Sequence, residues 1–558
     1  MTPAGDRWRQ PVIAAYALAI LLIFIARFNG INDVIHPFLQ RAVDPSLYAL
    51  SPHVGRSLVP GSSLLFDLIS RFRLDLTQPL FILPLYVLTC LLSGIAVDRI
   101  SRHVFLIADP LPRLFILFAT LFADGKLINL NKSSWILDHN FSFTFVAASL
   151  RFWFIHAFLR GRLLAMSLIL VPINILSFKV GWPLTLMAAA LLAWRRDLSP
   201  RHWGMLALSL VAPAVAALQA PAAMSASEAA QIFDILGSIH ASEDNPFMGP
   251  PLQWLLFPLG CAWAWRLAGG YRPEMGDRLR IALLMSLMIF VLGGIVLTID
   301  IAPLKLPLAV LLSPARALET ASFLIYMLVL VHILAAPGLN RLQRCALLLS
   351  LMLLKLTPSY VWVALSALLL LVAALMRWPR LARLDRNVDP AGALAAMAIL
   401  APAIGIFFAF NLAGNRAQQN YDRVIGFHDH RIPDEAVAML RAIAAERPDR
   451  LVIFGTAGQP GGASHWNALA RKSGIDGDPY YLPRLDDIRR QQADNGLYDQ
   501  VQTGLAAGRI APAVSDRLAR QGVSLLLPAA SSAAMPGWHI SRRYGSWVEM
   551  TAPAAPGH

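Results

Sequence analysis

The sequence predicts an α-helical polytopic membrane protein of about thirteen transmembrane helices, followed by a small C-terminal α/β extracytoplasmic domain. Three observations carry that expectation. Hydrophobic residues make up 56% of the chain and charged residues 15%, and the mean hydropathy of +0.55 is too apolar for a soluble fold with a polar surface. Apolar runs near the ~20 residues that a hydrocarbon core requires recur up to position 411, where the composition changes. Every second gap between those runs carries arginines, and the other gaps carry the acidic residues, the histidines and most of the loop length.

The runs lie at 10–27, 78–97, 104–123, 142–159, 163–178, 181–194, 203–219, 250–267, 280–299, 317–336, 343–357, 359–376 and 391–411. Pro172, Pro183, Pro213 and Pro258 fall inside them, which a packed bundle tolerates when neighbouring helices satisfy the freed carbonyls. Arg7 and Arg9, Arg99 and Arg102, Arg160 and Arg162, and Arg195, Arg196 and Arg201 occupy alternate gaps. So do Arg266, Arg272, Arg278 and Arg280, then Arg341 and Arg344, then Arg377, Arg380, Arg383 and Arg386. The positive-inside rule places these gaps and the N-terminus in the cytoplasm. The net charge of +14 then follows from topology and calls for no nucleic-acid partner. Arg27-Phe28-Asn29-Gly30 lacks a small-residue cleavage site, so the first helix is expected to stay uncleaved. Cys90, Cys261 and Cys345 all fall in runs and give no disulfide framework or thiolate metal site.

The same alternation sends 28–77, 124–141, 220–249, 300–316 and 412–558 to the outer side. In the last, Pro433 to Ala445 and Pro512 to Gln521 have the period of amphipathic helices, and Leu451 to Gly455 and Val523 to Leu527 read as strands. Trp538 to Met550 reads as a terminal hairpin with Gly545 at its turn. Gly455, Gly458, Gly461 and Gly462 lie in a glycine-rich loop, yet neither GK[ST] nor a strand-GxGxxG-helix unit accompanies them. No internal repeat is evident.

The first outer loop is the most informative. Ile35, Phe38, Leu39 and Val43 recur at helical spacing, which predicts a short amphipathic helix at the interface, and Asp33 and His36 stand three apart on it. A partly desolvated carboxylate beside an imidazole can take a proton from an acceptor hydroxyl. Asp33 can equally cap that helix, and local sequence does not choose between the two roles. Val43-Asp44-Pro45-Ser46-Leu47-Tyr48 follows closely.

A first helix, an outer loop with an early Asp, an interfacial helix, many spans and an outer C-terminal α/β domain together resemble the membrane glycosyltransferases of the C superfold. The resemblance covers most of the membrane part as architecture but only the first loop as motif, and His36 to Tyr48 is also similar to bacterial polytopic proteins of this layout. It implies a polyprenyl-phosphate-linked sugar donor and a glycan, lipid or protein acceptor at a bacterial inner (plasma) membrane, with the C-terminal domain periplasmic. The usual base of that superfamily, an acidic residue of the first outer loop, maps onto Asp33, with Asp44 the second choice, and His36 and Arg41 would help bind substrate.

Other outer residues fit around that expectation. Arg316, just before the tenth run, can grip a lipid-linked phosphate through two points, or can anchor a head group; Lys126 and Lys132 are weaker candidates for the same phosphate. His240, Glu243 and Asp244 form the densest outer polar cluster and allow three readings: a polar substrate-facing role, an incomplete divalent-cation set, or a solvated loop. No cofactor or metal ligand is assigned. Arg151 stands in the middle of a run and is expected to face the bundle interior, since intramembrane charge costs about 2.5–3.5 kcal/mol on insertion scales. The expected activity is hexosyl or pentosyl transfer with inversion. A transporter or flippase for an envelope lipid or glycan, and a non-catalytic envelope-assembly subunit, remain as alternatives; loss of activity in Asp33→Asn with normal folding separates the enzyme from both.

Overall fold

The structure, a computed structural model, describes residues 14, 18, 36–51, 54, 69–74, 76, 79–121, 141–197, 199–211, 213–214, 225–248, 251–298, 305, 307–336, 338–356, 360–375, 434–446, 449–455, 466–467, 470–475, 482, 484–532 and 537–553. The described chain is mostly helical and ends in a small sheet. The helices are α1 (His36–Val43), α2 (Pro79–His103), α3 (Pro110–Leu121), α4 (Phe143–Arg160), α5 (Leu163–Leu176), α6 (Phe178–Trp194) and α7 (Pro200–Ser209). They continue with α8 (Ala226–Asp244), α9 (Pro251–Ala268), α10 (Pro273–Thr298), α11 (Leu318–Ala335), α12 (Arg341–Leu356) and α13 (Tyr360–Leu375). After them come α14 (Asp434–Ala444), β1 (Leu451–Phe454), β2 (Ser473–Gly474), α15 (Leu485–Ala506), α16 (Pro512–Gln521), β3 (Ser524–Pro528), β4 (His539–Tyr544) and β5 (Trp547–Thr551). Two compact units result: Met1–Phe28, Pro84–Ala214 and Phe233–Asn420 form one, and Asn29–Leu83, Val215–Ile232 and Tyr421–His558 the other.

Three stretches among the described residues are long and apolar enough to cross a membrane: Phe81–His103, Pro273–Thr298 and Pro307–Ala335. The third is the most enclosed of the three, with 89% of its apolar window buried against 39% for each of the others. It packs against α9, α10, α3 and α12. The other two keep Leu88, Leu91 and Ile95, or Leu284, Met288, Val291 and Leu292, on the outside, where apolar side chains suit a lipid solvent better than water. These features are compatible with a membrane protein. The runs expected at 163–178 and 181–194 are helices of 14 and 17 residues, short for a core of about 30 Å at 1.5 Å per residue. The run at 391–411 lies outside the described residues, as does all but two residues of the run at 10–27.

The second unit holds a five-stranded mixed sheet in the order β2-β1-β3-β5-β4, with β1 parallel to β2 and β3, and β5 antiparallel to β3 and β4. Alternation along the strands builds two cores from one sheet. Ile453, Leu525, Leu527, Val548 and Met550 point to the face that α15 and α16 cover with Leu497, Val501, Val514 and Leu518. Val452, Phe454, Leu526 and Trp547 point to the other face, where α14 lays Ala436, Met439, Leu440 and Ile443 at helical spacing beside Trp466. Tyr544 pairs with Trp547 across a two-residue hairpin whose first residue, Gly545, has φ +62°, the left-handed value such turns require. Exposed β4 closes the sheet edge with Arg542 and Arg543, charges that discourage further strand pairing.

The segment 220–249, expected as an outer loop, contains α8. Ser225 and Glu228 cap its start reciprocally: the Ser225 N–H donates to Glu228 Oε2 at 2.9 Å, and the Glu228 N–H donates to Ser225 Oγ at 3.2 Å. Ile232, Phe233 and Leu236 then bury part of its surface, which helps hold a helix that ends in a polar stretch.

Candidate functional site

In the first unit the chemistry gathers where α4 meets the head of α11. Helix α4 is bounded by Ser142, whose hydroxyl accepts the Phe145 N–H at 3.0 Å, and by Gly161 in the left-handed conformation at φ +66°. It is apolar nearly all round, so Arg151 has no route to water and faces the interior with 1% of its side chain exposed. A lone guanidinium there would be costly, and Glu319, 2% exposed, supplies the counter-charge through Oε2. Glu319 lies in the first turn of α11, where the helix dipole also favours a carboxylate. Its other oxygen, Oε1, forms an ion pair with Arg316 Nη1 at 3.5 Å.

Arg316 is the accessible member of this chain of charges, with 24% of its side chain exposed. A rigid turn carries it. Pro314–Ala317 is a single 3₁₀ turn, the Arg316 N–H donates to the Ser313 carbonyl at 2.9 Å, and Ser313 is buried at φ +49°. Trp182 of α6 donates its indole N–H to the Leu312 carbonyl at 2.8 Å. On the α10 side, a Cβ on Gly293 would meet Pro314 Cβ at 2.4 Å, so this close approach requires glycine. Before the turn, Lys305 pairs with Asp234 of α8 at 2.8 Å. Lys305 and the turn at 312–317 are thus each held by packed neighbours, and the guanidinium is presented from a fixed position.

In the second unit, α1 forms where the apolar spacing of the first loop predicts it and buries Phe38 and Leu39. His36 is in hydrogen-bonding contact with Gln40, Nε2 to Nε2 at 3.2 Å, and Gln40 Oε1 accepts from the Tyr48 hydroxyl. Burial pushes the Tyr48 phenol well above its ordinary range, nearby Arg471 works against that, and Asp449 adds to it. Asp44 organises a tight Asx turn, its Oδ1 accepting from the Ser46 N–H at 3.1 Å and the Ser46 hydroxyl at 2.6 Å. Asp449 ties the loop to the sheet: it accepts from the Leu50 N–H at 3.1 Å, the Ser473 N–H at 3.0 Å and the Ser473 hydroxyl at 2.6 Å. Arg41 is half-buried in the last turn of α1.

Of the sequence-predicted site residues, His36, Arg41 and Asp44 therefore share one small substructure, and Arg316 belongs to the bundle cluster. Asp33, Lys126 and Lys132 lie outside the described residues, as do 456–465 of the glycine-rich loop. His240, Glu243 and Asp244 fall in the last turns of α8, so their spacing is helical rather than that of a loop. Among the described residues no group of three His, Cys, Asp or Glu side chains could hold a metal ion. Sequence reasoning did not join Arg151 to Glu319, although two opposite charges in otherwise apolar helices are the signal that such a pair leaves. Comparison with protein families, with curated proteins and with solved structures finds no match for this chain.

Proposed function

We propose that this chain is an integral membrane glycosyltransferase that moves a sugar from a polyprenyl-phosphate donor to an acceptor on the outer face of a bacterial inner membrane. The observation that carries the proposal is Arg316, a partly exposed guanidinium fixed by a clamped turn at the head of a deeply buried apolar helix and linked to Glu319 and Arg151. A fork of N–H donors at that place suits a phosphate whose lipid tail lies along apolar helices. Asp33 takes the proton from the acceptor hydroxyl as the oxygen attacks the anomeric carbon, the bond to the phosphate oxygen breaks, and the lipid phosphate leaves against Arg316. A single displacement inverts the anomeric centre, because no carboxylate nucleophile intervenes. The fuller topology belongs to the same proposal: about thirteen spans, a cytoplasmic N-terminus and a periplasmic 412–558 domain that contributes acceptor recognition.

The test is transfer of labelled sugar from a panel of polyprenyl-phosphate donors into membrane lipids and glycans, at matched expression of wild type, Asp33→Asn and Arg316→Gln. Transfer by wild type that both substitutions abolish supports the reading. Absence of transfer from every donor, with gradient-dependent flux of lipid-linked sugar in proteoliposomes, points to a flippase instead.

A further inference from the structure

A second basic site lies in the first unit, at the C-terminal ends of α2 and α4. Arg99, His103, His156, Arg160 and Arg162 line a cavity of about 270 Å³. All five lining side chains are basic. The plain explanation for arginines at such places is the favourable end of a helix dipole together with the positive-inside bias. That explanation accounts for the exposed side chains of Arg99, Arg160 and Arg162. It does not account for His156, which is 94% buried by its 6% exposure yet lines the cavity with an Nε2 that finds no hydrogen-bond partner among the described residues. Its ring lies 5.9 Å from that of His103, so two imidazoles stand side by side among three guanidiniums.

Local contacts hold this arrangement in place. Arg99 stacks over Trp153 at 5.0 Å, and Arg160 donates to the His103 carbonyl at 3.2 Å, which ties α2 to α4 at the cavity rim. Gly161, left-handed at φ +66°, turns the chain so that Arg162 also reaches the cavity. Like charges gathered around a hollow repel one another, and a bound anion removes that cost while using the donors that line it.

We propose that this cavity binds a phosphate or phosphomonoester anion, either free phosphate or the headgroup of an anionic phospholipid. The chemistry is the same for both: guanidinium forks and imidazole N–H groups around a compact tetrahedral anion, at the arginine-rich end of the helices. The site is separate from the Arg316 cluster and does not depend on the glycosyltransferase proposal.

The experiment uses the full-length protein, delipidated in mild detergent, and a double variant, Arg99→Gln with Arg162→Gln. Both substituted side chains are exposed, so melting in detergent is expected to match wild type; His156→Gln serves as a second, single-site variant. In one arm, equilibrium dialysis measures binding of radiolabelled inorganic phosphate. In the other, nanodiscs of phosphatidylcholine with or without phosphatidic acid are prepared, and phospholipid retained by the protein on extraction is identified by native mass spectrometry. Saturable phosphate binding, weakened about tenfold or more in the double variant, identifies a soluble phosphate ligand. Retained phosphatidic acid that the double variant loses, without phosphate binding, identifies a lipid headgroup. The proposal is overturned if neither ligand binds above the phosphatidylcholine control, or if both variants bind as wild type does.

Discussion

Replacing Glu319 by Gln removes the only charge of that side chain while keeping its shape, and withdraws the counter-charge it gives Arg151. Both side chains are almost wholly buried, at 1% and 2% exposure, so solvent does not screen the loss. Breaking a buried pair from one side costs about 3–5 kcal/mol, a large share of a total stability of roughly 5–15 kcal/mol. Removing both charges is different: Arg151→Met with Glu319→Leu exchanges the pair for apolar side chains, which is often neutral, and is expected within about 2 kcal/mol of wild type. The double-mutant cycle, formed with the single variants Arg151→Met and Glu319→Leu, should therefore give a coupling of about 3 kcal/mol or more. Unfolding in mixed micelles with rising denaturing detergent, followed by tryptophan fluorescence, measures wild type and the four variants. A Glu319→Gln protein within about 1 kcal/mol of wild type, or single effects that simply add, would refute the reasoning. Arg316→Gln provides the contrast: the partly exposed guanidinium should cost about 1 kcal/mol or less, which leaves a folded protein for activity work.

Further expectations rest on other contacts. Gly293→Val drives a side chain into Pro314, and should cost about 1–3 kcal/mol and lower sugar transfer in step with Arg316→Gln, whereas Gly204→Ala, with open space around it, should stabilise α7 by about 0.5–1 kcal/mol; detergent melting and the transfer assay check both. Asp449→Ala removes the acceptor for Leu50 and Ser473 and should destabilise the second unit by about 1–3 kcal/mol, with faster proteolysis near residue 50 as the measure. Burial raises the Glu446 carboxyl, but hydrogen bonds from Tyr544 and the charges of Arg450 and Arg542 outweigh it and hold the group below its ordinary 4.5. The unfolded chain then binds the proton more readily, so this stabilisation is complete above pH 4.5 and is lost as pH falls through the lowered folded value. Glu446→Gln should flatten the acid limb of the unfolding profile; an unchanged limb would remove Glu446 from the account.

Legibility followed the strength of the local pattern. Strands β1, β3 and β5 announce themselves because alternate residues must serve two cores, and Gly545 marks the hairpin because the turn requires left-handed backbone. Helix α15 was not read, because its sequence is mostly polar, it contains Asp494-Asn495-Gly496, a turn-like tripeptide, and its buried Ile488, Leu497 and Val501 are widely spaced. For α8 the signal is present in Ser225-Ala226-Ser227-Glu228, a capping box, but the polar stretch from Ser238 to Asp244 at its end resembles a loop. Of the candidate site, Arg316 at the head of an apolar helix was readable from its position. Its link through Glu319 to Arg151 was not, since 168 residues separate that pair and only packing brings them together. Asp44-Pro45-Ser46 carries the mark of an Asx turn as well as a candidate carboxylate, and sequence alone cannot weigh the two.

Sugar transfer from polyprenyl-phosphate donors, measured for wild type, Asp33→Asn and Arg316→Gln at matched expression and matched detergent melting, tests the central claim most directly. The account predicts transfer by wild type, none above background for Asp33→Asn, and a loss for Arg316→Gln that is greatest when the donor carries its full phosphate charge. Undiminished transfer in both variants, or no transfer by the wild type from any donor, would contradict it.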